Sequence, residues 1–393
     1  MTLEAIFASR AFTPHEEIAD PVLLVEGQKI VAIGRRDELS LPSSATLIHK
    51  RGLTVVPGFI DVHIHGAAGH DVMEGTHETL AAIAESVATR GTTAVVATTV
   101  SASEEVTCTA VEAIAGWIMH QRDHSAAGPA SAEILGIHLE GPFINPTRRG
   151  AHPAEWITAP SLPLFKRFVE TARGATRILT LAPELPGAAE VIAEARKAGV
   201  VVSLGHTDAS YAQAMAAIAN GARHATHVFN AMRPFTHRET GVVGAILTSS
   251  NVTAELIADG VHVDDAAIRV LLASKGAHGV ILVSDGIAAT GMPDGKYKLG
   301  TSEVCVAGGI ARTNEGKLAG STLTLDRAFR HLLGLGFPPR EVLPMLTSNP
   351  ARLLGLEQRK GSLQAGADAD LLLLDDRFQL VDVMTRGIWL NQA

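Results

Sequence analysis

VVPGFIDVHIHG, residues 55–66, reads as an apolar β-strand whose far end presents two histidines, His63 and His65, one residue apart. On a strand, residues i and i+2 point to the same face, so both imidazoles aim at one spot. Neutral imidazole is the commonest protein metal ligand, and a convergent pair at a strand end suggests a metal site. An ordinary pair of core or surface histidines would read the same way, so the weight falls on the rest of the chain.

Working outward, residues 55 to about 350 alternate apolar strand-like runs with Ala-rich helical stretches. Strands are expected at 55–65, 92–100, 133–140, 177–184, 200–206, 224–230, 252–259 and 279–285. Helical patterns lie between them, at His77–Arg90, Ala188–Ala198, Tyr211–Asn220 and Ala266–Ser274. Eight such units predict an α/β fold, a (β/α)8 TIM barrel with its active site at the C-terminal ends of the strands. A doubly wound open sheet is the competing architecture. Both chain ends read differently. Pro21–Val25 and Lys29–Ile33 flank a Glu-Gly turn as a β-hairpin would, further strands are expected at Thr46–His49 and Leu53–Val56, and Gly366–Leu374 and Val381–Leu390 are β-like again. The expected domains are therefore a small β-sandwich built from both termini, residues 1–54 plus 355–393, and a catalytic barrel, residues 55–354.

Composition limits the function classes. With 393 residues, 46% hydrophobic and 19% charged, the chain can bury a large core. A net charge of −8 without any basic block argues against nucleic acid as the main partner. Two cysteines far apart, Cys108 and Cys305, make a structural disulfide improbable and fit a reducing, cytoplasmic setting. No membrane association is expected, because no signal-like or membrane-length apolar run is present.

The barrel reading makes a test available within the sequence. Other ligand-type residues should also fall at strand ends, and they do: Glu140 ends strand three, His206 strand five and Asp285 strand eight, while strand six carries His227. His224, three residues before His227, is a rival ligand, and Asp285 could instead be a helix N-cap after strand eight.

PGFIDVHIHG, HLEGPF with the following RRGAHP, LGHT, THVFNAM, ADGVH and LVSDG resemble the N-acetylglucosamine-6-phosphate deacetylases of the amidohydrolase superfamily. The resemblance covers nearly the whole chain, including the terminal GADADLLLLD. It implies that Glu140, His206 and His227 hold the main divalent metal, with positions left open for water, and that His138 has no ligand role. Some members lack the His63/His65 pair and work with one ion. Its presence here leaves room for a second, so one or two ions per subunit are expected, with Glu140 and Asp285 reaching both. Zinc is the default, although these ligands also suit iron, manganese or cobalt.

The same resemblance implies that Asp285 is the general base and acid, and that His152 helps polarise the acetyl carbonyl. Arg238 and His262 match phosphate-contacting positions, the arginine being supplied by the neighbouring subunit of a homodimer. Asn230, Ala231, Ala151, Leu318, Ala319 and Gly320 match positions lining the sugar site. The expected reaction removes acetate from a phosphosugar, N-acetyl-D-glucosamine 6-phosphate. The galactosamine epimer, another N-acyl compound, or a barrel that binds without catalysing are the rivals. Two departures limit the transfer. Gly286-Ile-Ala-Ala-Thr follows Asp285 where many relatives have Ala directly, and Glu184 stands at the end of strand four, where hydantoinase-like relatives carry a carbamylated lysine.

Overall fold

The computed structural model describes residues 3–13, 16–124 and 129–391. Parts of both expected domains (1–2, 14–15, 125–128, 392–393) lie outside the described residues. Eight strands form one sheet in sequence order: β1 (Phe59–Ile64), β2 (Thr92–Thr99), β3 (Glu133–Glu140), β4 (Thr176–Leu181), β5 (Val201–Leu204), β6 (His224–Ala225), β7 (Thr253–Leu256) and β8 (Val280–Leu282). Every neighbouring pair is parallel. Strands buried on both faces need apolar or small residues throughout, and β2, TTAVVATT, is buried at every position.

The sheet closes on itself, which disposes of the open doubly wound alternative. Just past β8, Asp285 N–H donates to the His63 carbonyl at 2.9 Å. The Gly286 carbonyl then accepts from His65 N–H at 2.8 Å and Gly66 N–H at 2.9 Å. The seam between first and last strand is thus sewn by the segment that carries Asp285.

Helices cover the outside: α1 (His77–Ala88), α2 (Glu104–His124), α3 (Leu162–Thr171), α4 (Ala188–Lys197), α5 (Tyr211–Asn220), α6 (Gly241–Thr248), α7 (Asp265–Lys275) and α8 (Leu325–Gly334). In α1 the Thr76 hydroxyl accepts Thr79 N–H at the N-terminus, and Leu80, Ile83, Ala84 and Val87 form the buried stripe. Full burial of each larger aliphatic side chain there stabilises by about 1.5–3 kcal/mol. Among the described residues no helix is long and apolar enough to cross a membrane.

Several expected strands are shorter than their apolar runs. The run 55–65 splits at Gly58. Val55–Pro57 finish a strand of the other sheet (Thr46–Pro57), and Phe59 begins β1. A Cβ at Gly58 would lie 2.1 Å from Thr93 Oγ1, so the crossing between sheets needs glycine. The run 224–230 keeps only His224–Ala225 as strand, because His227, Phe229 and Ala231 take positive φ and turn the chain. No helix follows β8 directly. Residues 295–313 instead form a three-stranded antiparallel sheet (Gly295–Leu299, Ser302–Ala307, Ile310–Thr313) before α8, so Asp285 is not a helix N-cap. Val304, Val306 and Ala311 pack this insertion against Val100, Ile287 and Ala289 at the strand ends.

Both termini share a second sheet of eight strands. Leu371–Leu374 pairs antiparallel with residues 54–57, and Leu3–Phe12 pairs parallel with Thr46–Pro57. Where it meets the barrel, the buried Lys360 ammonium lies 2.6 Å from Asp370, 2.9 Å from Asp368 and 2.7 Å from Glu133, the first residue of β3. Arg359 pairs with Glu133 and Asp368, and Lys29 pairs with Asp368.

Candidate active site

Glu140 is the last residue of β3, and its buried carboxylate is the centre of the barrel mouth. Oε1 lies 3.1 Å from His206 Nε2 and 3.0 Å from His227 Nε2, and those two nitrogens are 3.1 Å apart. A second group adjoins it. His63 Nε2 and His65 Nε2 are 3.3 Å apart, and they lie 3.4 and 3.2 Å from Asp285 Oδ1. Glu140 reaches this group too, with Oε2 3.2 Å from His65 Nε2 and Oε1 3.5 Å from His63 Nε2. Residues from β1, β3 and the ends of β5, β6 and β8 therefore meet within a few ångströms.

The backbone explains how short strands aim these side chains inward. His206, His227 and Asp285 adopt φ of 47°, 27° and 50°. Non-glycine residues seldom do so, at a cost of order 1–3 kcal/mol each, and such conformations cluster at functional sites.

Hydrogen bonds on the far side of three rings fix what faces the centre. His206 Nδ1 lies 2.9 Å from the Arg148 carbonyl and His65 Nδ1 lies 3.0 Å from the Thr98 carbonyl. Carbonyls only accept, so these nitrogens carry the hydrogen and the Nε2 lone pairs point at carboxylates. His63 Nδ1 is fixed the same way, 2.9 Å from Glu255 Oε2, while the buried His227 Nδ1 has no partner among the described residues. Lone pairs facing carboxylate oxygens at about 3 Å repel unless a proton or a cation lies between them. This donor set fits a divalent metal.

His152 is built the opposite way. Ser101 N–H donates to its Nδ1 at 3.2 Å, so Nε2 carries the hydrogen and faces Glu140 Oε2 at 3.2 Å. Burial pushes this ring down to about 4 and keeps it neutral. His152 is thus a donor, although Glu140, His152 and His206 are spaced closely enough to hold an ion.

Charge balance follows from the same contacts. Burial opposes charge on His65, but hydrogen bonds to Asp285 and Glu140 outweigh it and lift the ring to about 9. Burial likewise works against Glu140, yet His63 and His206 hold it well below the usual carboxylate range. Asp285 is lowered against its burial by His63 and His65. Protons on imidazole supply the counter-charge when nothing else does.

The rival ligand His224 is engaged elsewhere, with Nε2 2.9 Å from Glu255 Oε1 and Nδ1 2.7 Å from Thr253 Oγ1. Both nitrogens of His138 are also taken, by the Val62 carbonyl and Thr180 Oγ1. Glu184 accepts from Asn145 Nδ2, Asp208 N–H and Thr207 Oγ1, tying down the loops beside Glu140 and His206.

The remaining expected residues surround the mouth more loosely. Asn230 donates to the His227 carbonyl at 3.3 Å, and the Ala231 carbonyl accepts Thr207 N–H at 3.1 Å. The Ala151 carbonyl accepts from Ser302 Oγ at 3.3 Å, joining this loop to the insertion. Leu318, the buried Ala319 and Gly320 lead into Ser321, whose N–H donates to the Asp285 carbonyl at 2.7 Å. Asp259 Oδ2 holds His262 Nδ1 at 2.7 Å. Arg238 is exposed and forms no hydrogen bond or ion pair among the described residues, so the fold of one chain does not draw it into the cluster.

Sequence reasoning missed Glu255, Asp61 and Ser101. Asp61, pushed by burial to about 6, accepts backbone N–H groups of His63 and Ser284 across the seam. An ionisable residue inside an apolar run, as in FIDVHI and TAEL, was the available signal. Nothing local marked Ser101.

The chain matches the amidohydrolase family over residues 54–390. It is 37% identical to an N-acetylglucosamine-6-phosphate deacetylase of Bacillus subtilis, over 89% of this chain and 86% of that protein. It is 35% identical to an N-acetylgalactosamine-6-phosphate deacetylase of Escherichia coli O157:H7, over 88% of this chain and 90% of that one. A mutant N-acetyl-D-glucosamine-6-phosphate deacetylase from Mycobacterium smegmatis, solved with N-acetyl-D-glucosamine-6-phosphate, superposes with a TM-score of 0.90 at 36% identity, covering 99% of this chain and 100% of that one. With the closed barrel and its histidine–carboxylate mouth, these matches show that the chain belongs to the amidohydrolase family.

Proposed function

We propose that this protein is a metal-dependent hydrolase that removes acetate from N-acetyl-D-glucosamine 6-phosphate, giving D-glucosamine 6-phosphate. The observation that carries the reading is the meeting of Glu140, His206 and His227 beside Asp285, in a chain whose relatives bear that activity in their names. Glu140, His206 and His227 would hold the principal ion. His63 and His65, with Asp285 and Glu140, would hold a second. Zinc is the default, and iron, manganese or cobalt suit the same donors. Such an ion lowers the pKa of water from 15.7 to about 7 and so makes a nucleophile available at neutral pH.

The chain's own residues do the rest. Asp285, ionised and facing the histidine pair, takes the proton from the attacking water and passes it to the departing sugar amine, a role worth about 10²–10⁴-fold. His152 Nε2–H, held in that tautomer by Ser101, donates to the acetyl oxygen as charge gathers there. His262 and an Arg238 supplied across a homodimer interface bind the phosphate; a guanidinium fork matches its oxygens. The loops carrying Ala151, Asn230, Ala231 and Leu318–Gly320 enclose the sugar. The terminal sheet, whose own apolar cluster includes Ile6, Leu23, Val25, Leu371 and Met384, forms the small β-sandwich domain (1–54 plus 355–393) beside the barrel domain (55–354). A cytoplasmic place in amino-sugar catabolism and cell-wall recycling fits this chemistry.

The galactosamine epimer is the second reading, favoured by the 35% identity to the Escherichia coli relative. Acetate release measured on both 6-phosphates and on unphosphorylated N-acetylglucosamine decides between them. Arg238→Ala should lower kcat/KM for the phosphorylated substrate by about 10- to 100-fold, the worth of a charged hydrogen bond. Turnover of the unphosphorylated sugar should not change. An unaffected phosphosugar rate removes the phosphate assignment.

A further inference from the structure

We propose that Glu255 is a positioning residue that couples the two halves of the metal centre, an inference that rests on the ligand assignment above. Glu255 sits on β7, fully buried, one layer behind the ligands. Its Oε2 lies 2.9 Å from His63 Nδ1 and accepts His227 N–H at 3.1 Å. Its Oε1 lies 2.9 Å from His224 Nε2, and His224 is anchored in turn by Thr253. Its own backbone carbonyl accepts Val228 N–H at 3.0 Å.

A carboxylate accepts and does not donate, so Glu255 puts the hydrogen of His63 on Nδ1. The Nε2 lone pair is left facing His65, Glu140 and Asp285. The same oxygen clamps the backbone of His227, whose φ of 27° is one that L residues rarely adopt without outside support. From that backbone His227 Nε2 reaches Glu140. One oxygen atom therefore grips the ring of a ligand in one group and the main chain of a ligand in the other. Any movement of His63 toward an ion pulls on Oε2 and is felt at His227, so loading of one subsite changes the affinity of the other. His224 holds the carboxylate in place from behind.

The test is titration of the metal-free protein with Zn(II) and Co(II) against a chromophoric chelator, alongside the Co(II) absorption spectrum. Wild type should take two ions with linked affinities. Glu255→Ala should weaken both subsites by about 10- to 100-fold, the usual cost of losing such an outer partner. Glu255→Gln should rescue part of this, because its amide oxygen can still face His63 while its NH2 faces His224, which can move its hydrogen to Nδ1 against Thr253 Oγ1. That graded order, with a Co(II) spectrum altered in Ala and closer to wild type in Gln, is not what loss of bulk packing alone produces. Affinities within about twofold of wild type in folded Glu255→Ala, or a Gln variant that binds no better than Ala, overturn the proposal. If neither variant folds, wild type decides alone: a single ion, or two ions that bind independently, overturns the coupling. Wild type that binds no ion at all refutes instead the ligand assignment beneath it.

Discussion

Strand β3 begins in one cluster of buried charge and ends in another. Glu133, its first residue, meets Lys360 and Arg359, and Lys29 joins through Asp368, so three carboxylates (Glu133, Asp368, Asp370) face three permanent cations. Glu140, its last residue, meets His63, His65, His152, His206 and His227, and Asp285 and Glu255 stand beside it. Among the described residues no lysine or arginine reaches these three carboxylates. The junction with the terminal sheet carries its own counter-charge. The mouth has imidazoles, whose charge is optional and of which His63, His65 and His206 already turn lone pairs inward. The difference separates a charge cluster spent on holding two sheets together from one left free to take a cation.

That contrast can be broken by experiment. At the mouth, removing a charge should cost chemistry and leave the fold. Asp285→Asn is expected to lose about 10²–10⁴-fold in kcat while keeping the ion held by Glu140, His206 and His227, measured by steady-state kinetics and elemental analysis on one sample. Retained turnover would refute the assigned base. At the junction, removing a charge should cost the fold and leave the chemistry. Lys360→Met strips the buried cation from its partners and is expected to destabilise by about 3–5 kcal/mol, read from urea unfolding, with metal content and kcat unchanged below the transition. Unaltered stability would mean that the ion cluster is not what holds the junction.

The gentlest test uses pH alone. In the metal-free chain His65 is lifted to about 9 against an ordinary 6.5. It therefore contributes fully below 6.5, and its contribution fades as pH rises through about 9. At the junction, burial is outweighed in each group by its ion partners, which raise Lys360 and lower Glu133 and Asp368. Those contributions are complete from above the ordinary carboxylate range up to the ordinary range of lysine. A chelator-treated sample should lose Tm between pH 6.5 and 9, with the metal-loaded sample flatter over the same window. Parallel curves would show that histidine protons do not supply the counter-charge at the mouth.

Much of this was written in the order of residues. The barrel was legible because strands buried on both faces must be continuous apolar runs, as in TTAVVATT. The cluster was legible because its members fall where those runs stop. Two distortions came from the same signal. The run 55–65 reads as one strand yet serves two sheets, divided by a glycine whose need is a contact with Thr93. THVFN reads as a strand yet is irregular, because left-handed residues, not hydrophobicity, end β6. The insertion at 295–313 escaped notice because short half-exposed strands leave no long apolar run. What no local pattern could carry is the tautomer of each ring. His206 becomes a lone-pair donor through the Arg148 carbonyl, and His152 a hydrogen donor through Ser101 N–H, partners distant in sequence.

The closing stitch of the barrel has a consequence of its own. Because Asp285 and Gly286 fasten the last strand to the first through the main chain of His63, His65 and Gly66, the proposed proton-transfer residue and cylinder closure share one short piece of polypeptide. Warming that frees this fastening would silence the enzyme while the other strands were still hydrogen-bonded to their neighbours, so inactivation should run ahead of melting.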